Sequence, residues 1–272
     1  MPGGDAMRTD RSLIIGFLLA LAFGLGIALT QQQEVDPFKE AQRQRELFRQ
    51  TAGILPGELY AAQGEELFAQ KRGPRNASLE ACDFGLGPGK LEGAHAQLPR
   101  YFADTRRVED LETRIASCMV RLQGFKLAEI KREDIKALSA FVASKSSEMP
   151  LRVVPRTSQE IAMYNLGREL WFHRAGNRDM NCSICHDAYA GSRVRLSPVR
   201  SPRQGLSNEW PAYRFEADKL YTLQDRIAFC YVSIGIAAPE FYSEPYIALS
   251  VYMLAEATRG RNSLTEMPGF TR

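Results

Sequence analysis

Histidine is scarce in this chain: among 272 residues there are only His95, His173 and His186. Cysteine is limited to Cys82, Cys118, Cys182, Cys185 and Cys230, and only one pair has the C-x-x-C spacing. No H-x-x-x-H pair exists either. A structural zinc site needs a second pair of ligands, so the sequence excludes one. Charge of one sign is also lacking. Thirty-five basic against thirty-two acidic residues leave a formal charge of +3, too little to hold nucleic acid. What remains, 44% hydrophobic and 25% charged residues, suits a globular protein of one or two domains with a real core.

The feature that organises the chain is Asn181-Cys182-Ser183-Ile184-Cys185-His186. It reads C-x-x-C-H, the attachment site of a c-type haem. Cys182 and Cys185 are spaced to reach the two vinyl groups of one porphyrin, and His186 follows at once to turn its imidazole onto the iron. A redox dithiol followed by a chance histidine is the competing reading, and the signs of export weigh against it.

Those signs lie at the N-terminus. Residues 1–11 are polar with two arginines, and Ser12–Leu29 is apolar and uncharged. Residues 1–30 therefore read as a signal peptide or an uncleaved anchor in the inner membrane, which places the rest in the periplasm. No membrane contact is expected beyond that segment. Residues 31–57 read as a linker helix, charged over Phe38–Thr51 and closed by Gly53 and Pro56-Gly57.

From Glu58 onward the sequence repeats itself. Gly64–Phe68 and Arg72-Gly73 return as Gly167–Trp171 and Ala175-Gly176, and Leu98–Tyr101 returns as Trp210–Tyr213. Leu111–Cys118 returns as Leu223–Cys230, and Ile135–Phe141 as Ile247–Tyr252. Blocks kept in one order, with apolar residues at helical spacing, indicate two copies of one helical unit. The expected fold is mainly α: two tandem cytochrome c-like domains, residues 58–150 and 151–272, divided near Pro150–Pro155. Leu79, Cys82 and Asp83 stand where the second copy has Cys182, Cys185 and His186. The first copy can therefore neither attach nor ligate a haem, and one haem c is expected, in the second domain. Cys82 and Cys118 align with Cys185 and Cys230, both pocket-lining positions. Of the three pairings open to Cys82, Cys118 and Cys230, the repeat favours a Cys82–Cys118 disulfide. Leu79 and Phe84 are expected to fill the space a haem would take.

That pairing leaves Cys230 alone in an oxidising compartment. Its late position lets it cross the pocket and face His186, so it reads as a distal sulfur ligand, a thiolate or a modified sulfur. The alternative is a core cysteine with Met253 or Met267 as the ligand. Arg226, four residues earlier on the same helical face, would favour a thiolate and attract an anion, although Arg114 has the same offset from Cys118. Arg193, Arg195, Arg200 and Arg203 follow the haem motif in a Pro- and Ser-rich loop that is either a steering rim or simply solvated.

An export segment, a degenerate cytochrome unit, a C-x-x-C-H unit and a lone cysteine after Leu223–Ile227 together resemble SoxA, the larger subunit of the SoxAX cytochromes of sulfur oxidation. The likeness spans about residues 58–272, through Gly64–Phe68, Ala81–Asp83, Asn181–His186 with Ala190-Gly191, Trp210–Arg214 and Leu223–Cys230. It implies an L-cysteine S-thiosulfotransferase of the monohaem type. Such an enzyme joins thiosulfate oxidatively to a cysteine of a SoxYZ-like carrier, and the electrons leave through haem to a SoxX-like small cytochrome. By this resemblance Cys230 is the catalytic sulfur and distal ligand, His186 the proximal ligand, and Arg226 an arginine beside the active sulfur. The chain departs from the family pattern after Cys230, where Ile236–Glu240 replaces an Arg-Ala-Glu-Pro run. That departure keeps open a second class, a non-catalytic electron-transfer or scaffold cytochrome of a periplasmic complex.

Overall fold

Two glycines let pairs of helices approach closely. Helices α1 (Pro37–Ala52), α2 (Pro56–Ala69), α3 (Leu111–Cys118) and α4 (Arg132–Ser144) precede residue 150. Helices α5 (Ser158–Phe172), α6 (Cys182–His186), α7 (Leu223–Ser233) and α8 (Glu244–Arg259) come after it. A Cβ on Gly64 of α2 would fall 2.0 Å from the Ala137 carbonyl oxygen on α4, and one on Gly167 of α5 would fall 2.0 Å from the Ala248 carbonyl oxygen on α8. Each position thus admits only glycine, and the α2/α4 and α5/α8 pairs cross in the same way. The sequence repeat is a repeat of packing.

This geometry comes from a computed structural model that describes residues 37–194, 197–260 and 269–271. The segment read as signal or anchor, Arg195 and Met267 lie outside the described residues. Among the described residues no helix is long and apolar enough to cross a membrane. Every element from α2 onward belongs to one compact unit, residues 41–272.

Short hairpins precede α3 and α7. Strand β1 (Arg100–Phe102) pairs antiparallel with β2 (Arg107–Glu109). Beyond the small ribbon β3 (Arg193–Val194) and β4 (Ser197–Pro198), strand β5 (Ala212–Arg214) pairs antiparallel with β6 (Lys219–Tyr221) and parallel with β7 (Gly269–Thr271). Each hairpin delivers a capping residue to the helix after it. The Asp110 carboxylate accepts the Thr113 N–H, and the Thr222 hydroxyl accepts the Asp225 N–H while Asp225 accepts from Thr222 in return.

Before residue 150 the core is closed. Leu79, Cys82, Phe84, Leu98, Ile115 and Met119 are each 1% exposed and pack with Phe68 and Phe141. Cys82 and Cys118 are joined by a disulfide, and Leu79 and Phe84 lie buried against it in the same cluster. After residue 150 the core is thinner, built on Trp171, Ile227, Tyr246, Leu249, Tyr252 and Met253. A buried seam joins the halves: Val108 packs with Ile247 and Val251, and Trp210 and Ala212 enter the first core.

Candidate haem and sulfur site

Helix α6 is one turn long and is held at its start by Asn181. The Asn181 side-chain oxygen accepts from the Ile184 N–H at 2.9 Å and the Ser183 hydroxyl at 3.0 Å, and its amide donates to the Phe172 carbonyl at 2.7 Å. The cap therefore fastens the Cys182–His186 turn to the end of α5. His186 Nδ1 lies 2.8 Å from the Arg200 carbonyl oxygen, which fixes the ring and leaves Nε2 as the free nitrogen. Trp171 packs beside the imidazole, ring centroids 5.8 Å apart, and its indole donates to Asp187 at 2.7 Å. Burial holds His186 below its ordinary range against the pull of the Arg200 carbonyl, and the Arg226 charge pushes the same way. The ring is thus a neutral donor near pH 7.

Cys182, Cys185 and Cys230 are the free cysteines, all half-buried. Burial pushes the Cys182 thiol up to about 12, with the charges of Cys230 and Cys185 adding to it. The charges of Cys230 and Cys185 act on Cys182 and that of Arg226 acts on His186, so the five residues lie in one region of the molecule. Met253 sits in the core with Trp171, 4% exposed. The remaining histidines lie elsewhere: His173 is exposed, and His95 is buried beside Trp210.

The corresponding positions before residue 150 are closed off. Asp83, at the place of His186, turns its carboxylate back to accept the Gly85 and Gly87 N–H groups at 2.6 and 2.9 Å. Helix α3 is buried at every position but Ser117, whereas its counterpart α7 is buried only at Gln224 and Ile227. Phe229 is 52% exposed and Val232 65%. Two thiols, a neutral imidazole with one nitrogen already engaged, and an open apolar helix face fit haem c. Cys182 and Cys185 would hold its vinyl carbons and His186 its iron.

Arg114 and Arg226 share an offset but not an environment. Arg114 is buried: its guanidinium donates to both oxygens of Asp104 at 3.0 and 3.1 Å, to Glu109 at 3.2 Å and to the Asp83 carbonyl at 2.6 Å, and it lies over Phe102. In the second half Glu216 pairs with Arg214 instead, and Tyr221 stands where Glu109 would be. Among the described residues no carboxylate pairs with Arg226, whose guanidinium rests 5.3 Å from the Phe229 ring. It is a half-buried cation held next to Cys230 and His186 without a counter-charge. In the Pro- and Ser-rich loop, Arg200 pairs with Glu209 at 3.5 Å and Arg203 with Glu256 at 2.7 Å, so these two are partly neutralised.

Sequence reasoning missed Arg132 and Glu112, which meet Asp225 at the start of α7. One signal was available: Arg132 aligns with Glu244, a reversal of charge inside the repeat.

The family model described as SoxA/TsdA, cytochrome c domain matches residues 63–151. An L-cysteine S-thiosulfotransferase subunit SoxA of Hydrogenobacter thermophilus is 39% identical over 94% of this chain and 96% of its own length. One of Hydrogenophilus thermoluteolus is 36% identical over 94% of this chain and 97% of its own. A chain of the crystal structure of SoxXA from P. pantotrophus has the same fold, with a TM-score of 0.68 at 22% identity over 80% of this chain and 79% of that one. With these relatives matched almost end to end, the chain belongs to the SoxA family, the cytochrome c subunits of L-cysteine S-thiosulfotransferase.

Proposed function

We propose that this chain joins thiosulfate to a carrier-protein cysteine by oxidation, with Cys230 as the reacting sulfur and Arg226 as the anion-holding group. The observation that carries this reading is the Arg226 guanidinium, which pairs with no carboxylate among the described residues, lies one helical turn before Cys230 and is near enough for its charge to act on His186. In balanced form, a carrier thiol and thiosulfate give a carrier S-thiosulfonate, one proton and two electrons. Arg226 binds the sulfonate end of thiosulfate and orients its outer sulfur toward Cys230. The same charge favours the thiolate form of whichever thiol enters the site. Haem c, when bound, supplies the one-electron acceptor through which the electrons leave. His186, its ring fixed by the Arg200 carbonyl, would hold the haem iron, and Cys230 would present its sulfur to the thiosulfate bound beside it.

The same reading assigns two tandem cytochrome units to the chain, divided near Pro150–Pro155, with a single haem on the second. The buried Leu79 and Phe84, the Cys82–Cys118 bridge and the turned-back Asp83 support a first unit that stands without haem. The family model falls on that unit although it lacks the attachment motif, which supports its origin as a cytochrome domain. The chemistry calls for two protein partners, a SoxX-like small cytochrome c that takes up electrons and a SoxYZ-like carrier that presents the thiol. It belongs in the periplasm, reached through the N-terminal segment as signal or anchor. The test is thiosulfate- and carrier-dependent reduction of cytochrome by the haem-loaded complex. Cys230→Ser is expected to abolish it while leaving haem attached at Cys182 and Cys185. Undiminished activity in that variant would leave only an electron-transfer or scaffold role.

A further inference from the structure

Arg132 opens α4 and reaches across the seam between the halves. One of its terminal nitrogens, Nη2, donates to Glu112 at 2.8 Å, to Asp225 at 2.8 Å and to the Thr222 hydroxyl at 3.0 Å. The other, Nη1, donates to the Tyr242 hydroxyl at 3.2 Å, and the guanidinium stacks 3.8 Å from the centroid of Phe241. The side chain is 22% exposed, and Glu112 and Asp225 are 4% and 13% exposed. Glu112 also accepts the Gln224 N–H at 2.9 Å, and the Gln224 side chain accepts the Tyr242 N–H at 2.9 Å. Every partner after residue 150 lies at one of two places: the cap of α7 (Thr222, Gln224, Asp225) or the end of the loop that leaves it (Phe241, Tyr242).

These contacts grip both ends of segment 222–242, and that segment carries Arg226 and Cys230. A planar guanidinium with several fixed donors and an aromatic face to stack on is the side chain that can hold such a set at once. The arrangement is not part of the common repeat, because the aligned residue in the second half is Glu244. We propose that Arg132 is a positioning residue: from the first half of the molecule it fixes where Cys230 and Arg226 stand relative to the haem iron. This rests on the reading of Cys230 as the sulfur facing the iron. It also gives the haem-free unit a task in the reaction.

The test uses the full, haem-loaded chain with Arg132→Ala, Arg132→Lys and Cys230→Ser. It compares ferric-haem EPR, melting temperature and the kinetics of thiosulfate-dependent reduction. Arg132→Ala is expected to keep its covalent haem but to give a shifted or mixed low-spin EPR signal. Its kcat should fall about tenfold to a hundredfold, as a displacement of about 1 Å can cause, with a smaller change in KM. Arg132→Lys keeps the charge without the fork and should lie between Ala and the parent; if Arg132→Ala does not accumulate, the lysine variant alone decides. A lower melting temperature with parental EPR and kcat in the folded fraction would mean a structural role only and would overturn the proposal. A Cys230→Ser protein with unchanged EPR would remove the underlying reading, and the inference with it. A changed signal there beside a parental signal in the Arg132 variants would sink the inference alone.

Discussion

Arg114 and Arg226 stand at the same step of two related helices, and their surroundings divide them into different trades. Arg114 neutralises the fully buried Glu109 and accounts for both oxygens of Asp104. Arg114→Ala leaves a buried carboxylate unpaired, so a loss of about 3–5 kcal/mol in stability is expected by denaturant unfolding. Arg226 has no such debt. Arg226→Ala is expected to hold its melting temperature near the parental value and to lose about tenfold to a hundredfold in kcat/KM for thiosulfate, the worth of one hydrogen bond to a charged group. Arg226→Lys should recover part of that loss. A parental kcat/KM in Arg226→Ala would take the arginine out of the site. Cys182, Cys185 and His186 were legible in the sequence because covalent attachment imposes their spacing. The difference between the arginines was not, since Asp104 and Glu109 arrive from a hairpin whose side-chain directions no local pattern specifies.

Capping is a short-range event, set by residues three apart in the chain. Helix α5 begins with Thr157 and Glu160 capping each other, and Glu160 also accepts the Tyr101 N–H at 2.8 Å from β1 in the first half. A local cap is thus also a tie across the seam. Burial alone would raise the Glu160 carboxyl, but the N–H groups of Thr157, Tyr101 and Arg156 outweigh it and hold it below its ordinary 4.5. A carboxylate with a lowered folded pKa stabilises fully above its unfolded value and loses that contribution as the pH falls through the folded one. Glu160→Gln is therefore expected to cost about 1 kcal/mol at neutral pH for a partly exposed group. The gap between variant and parent should close as thermal melts are taken below pH 4.5. A gap that stays constant with pH would assign the effect to packing instead. Gly64 and Gly167 were legible only as the first residues of the repeated blocks Gly64–Phe68 and Gly167–Trp171. Their purpose, contact with the Ala137 and Ala248 carbonyls, needed the fold.

Across the whole molecule, the two halves solve the same packing problem by different means. The first closes around a disulfide and buries Leu79 and Phe84, and the second keeps α6 and the outer face of α7 open. The Cys82–Cys118 pairing could be read from the chain because the residues align with positions expected to share a pocket. The network of Arg132, Glu112 and Asp225 could not, because it belongs to the seam, where the repeat imposes nothing. Replacing Cys82 and Cys118 together by serine is expected to cost about 2–5 kcal/mol and to leave the visible haem spectrum in place, since separate residues hold that group. The most direct test of the whole account is mass spectrometry of the native protein, intact and after proteolysis without reduction. One haem c on the peptide with Cys182 and Cys185, a Cys82–Cys118 crosslink and Cys230 outside any disulfide are expected together. A second haem on the chain, or Cys230 crosslinked to Cys82 or Cys118, would contradict it.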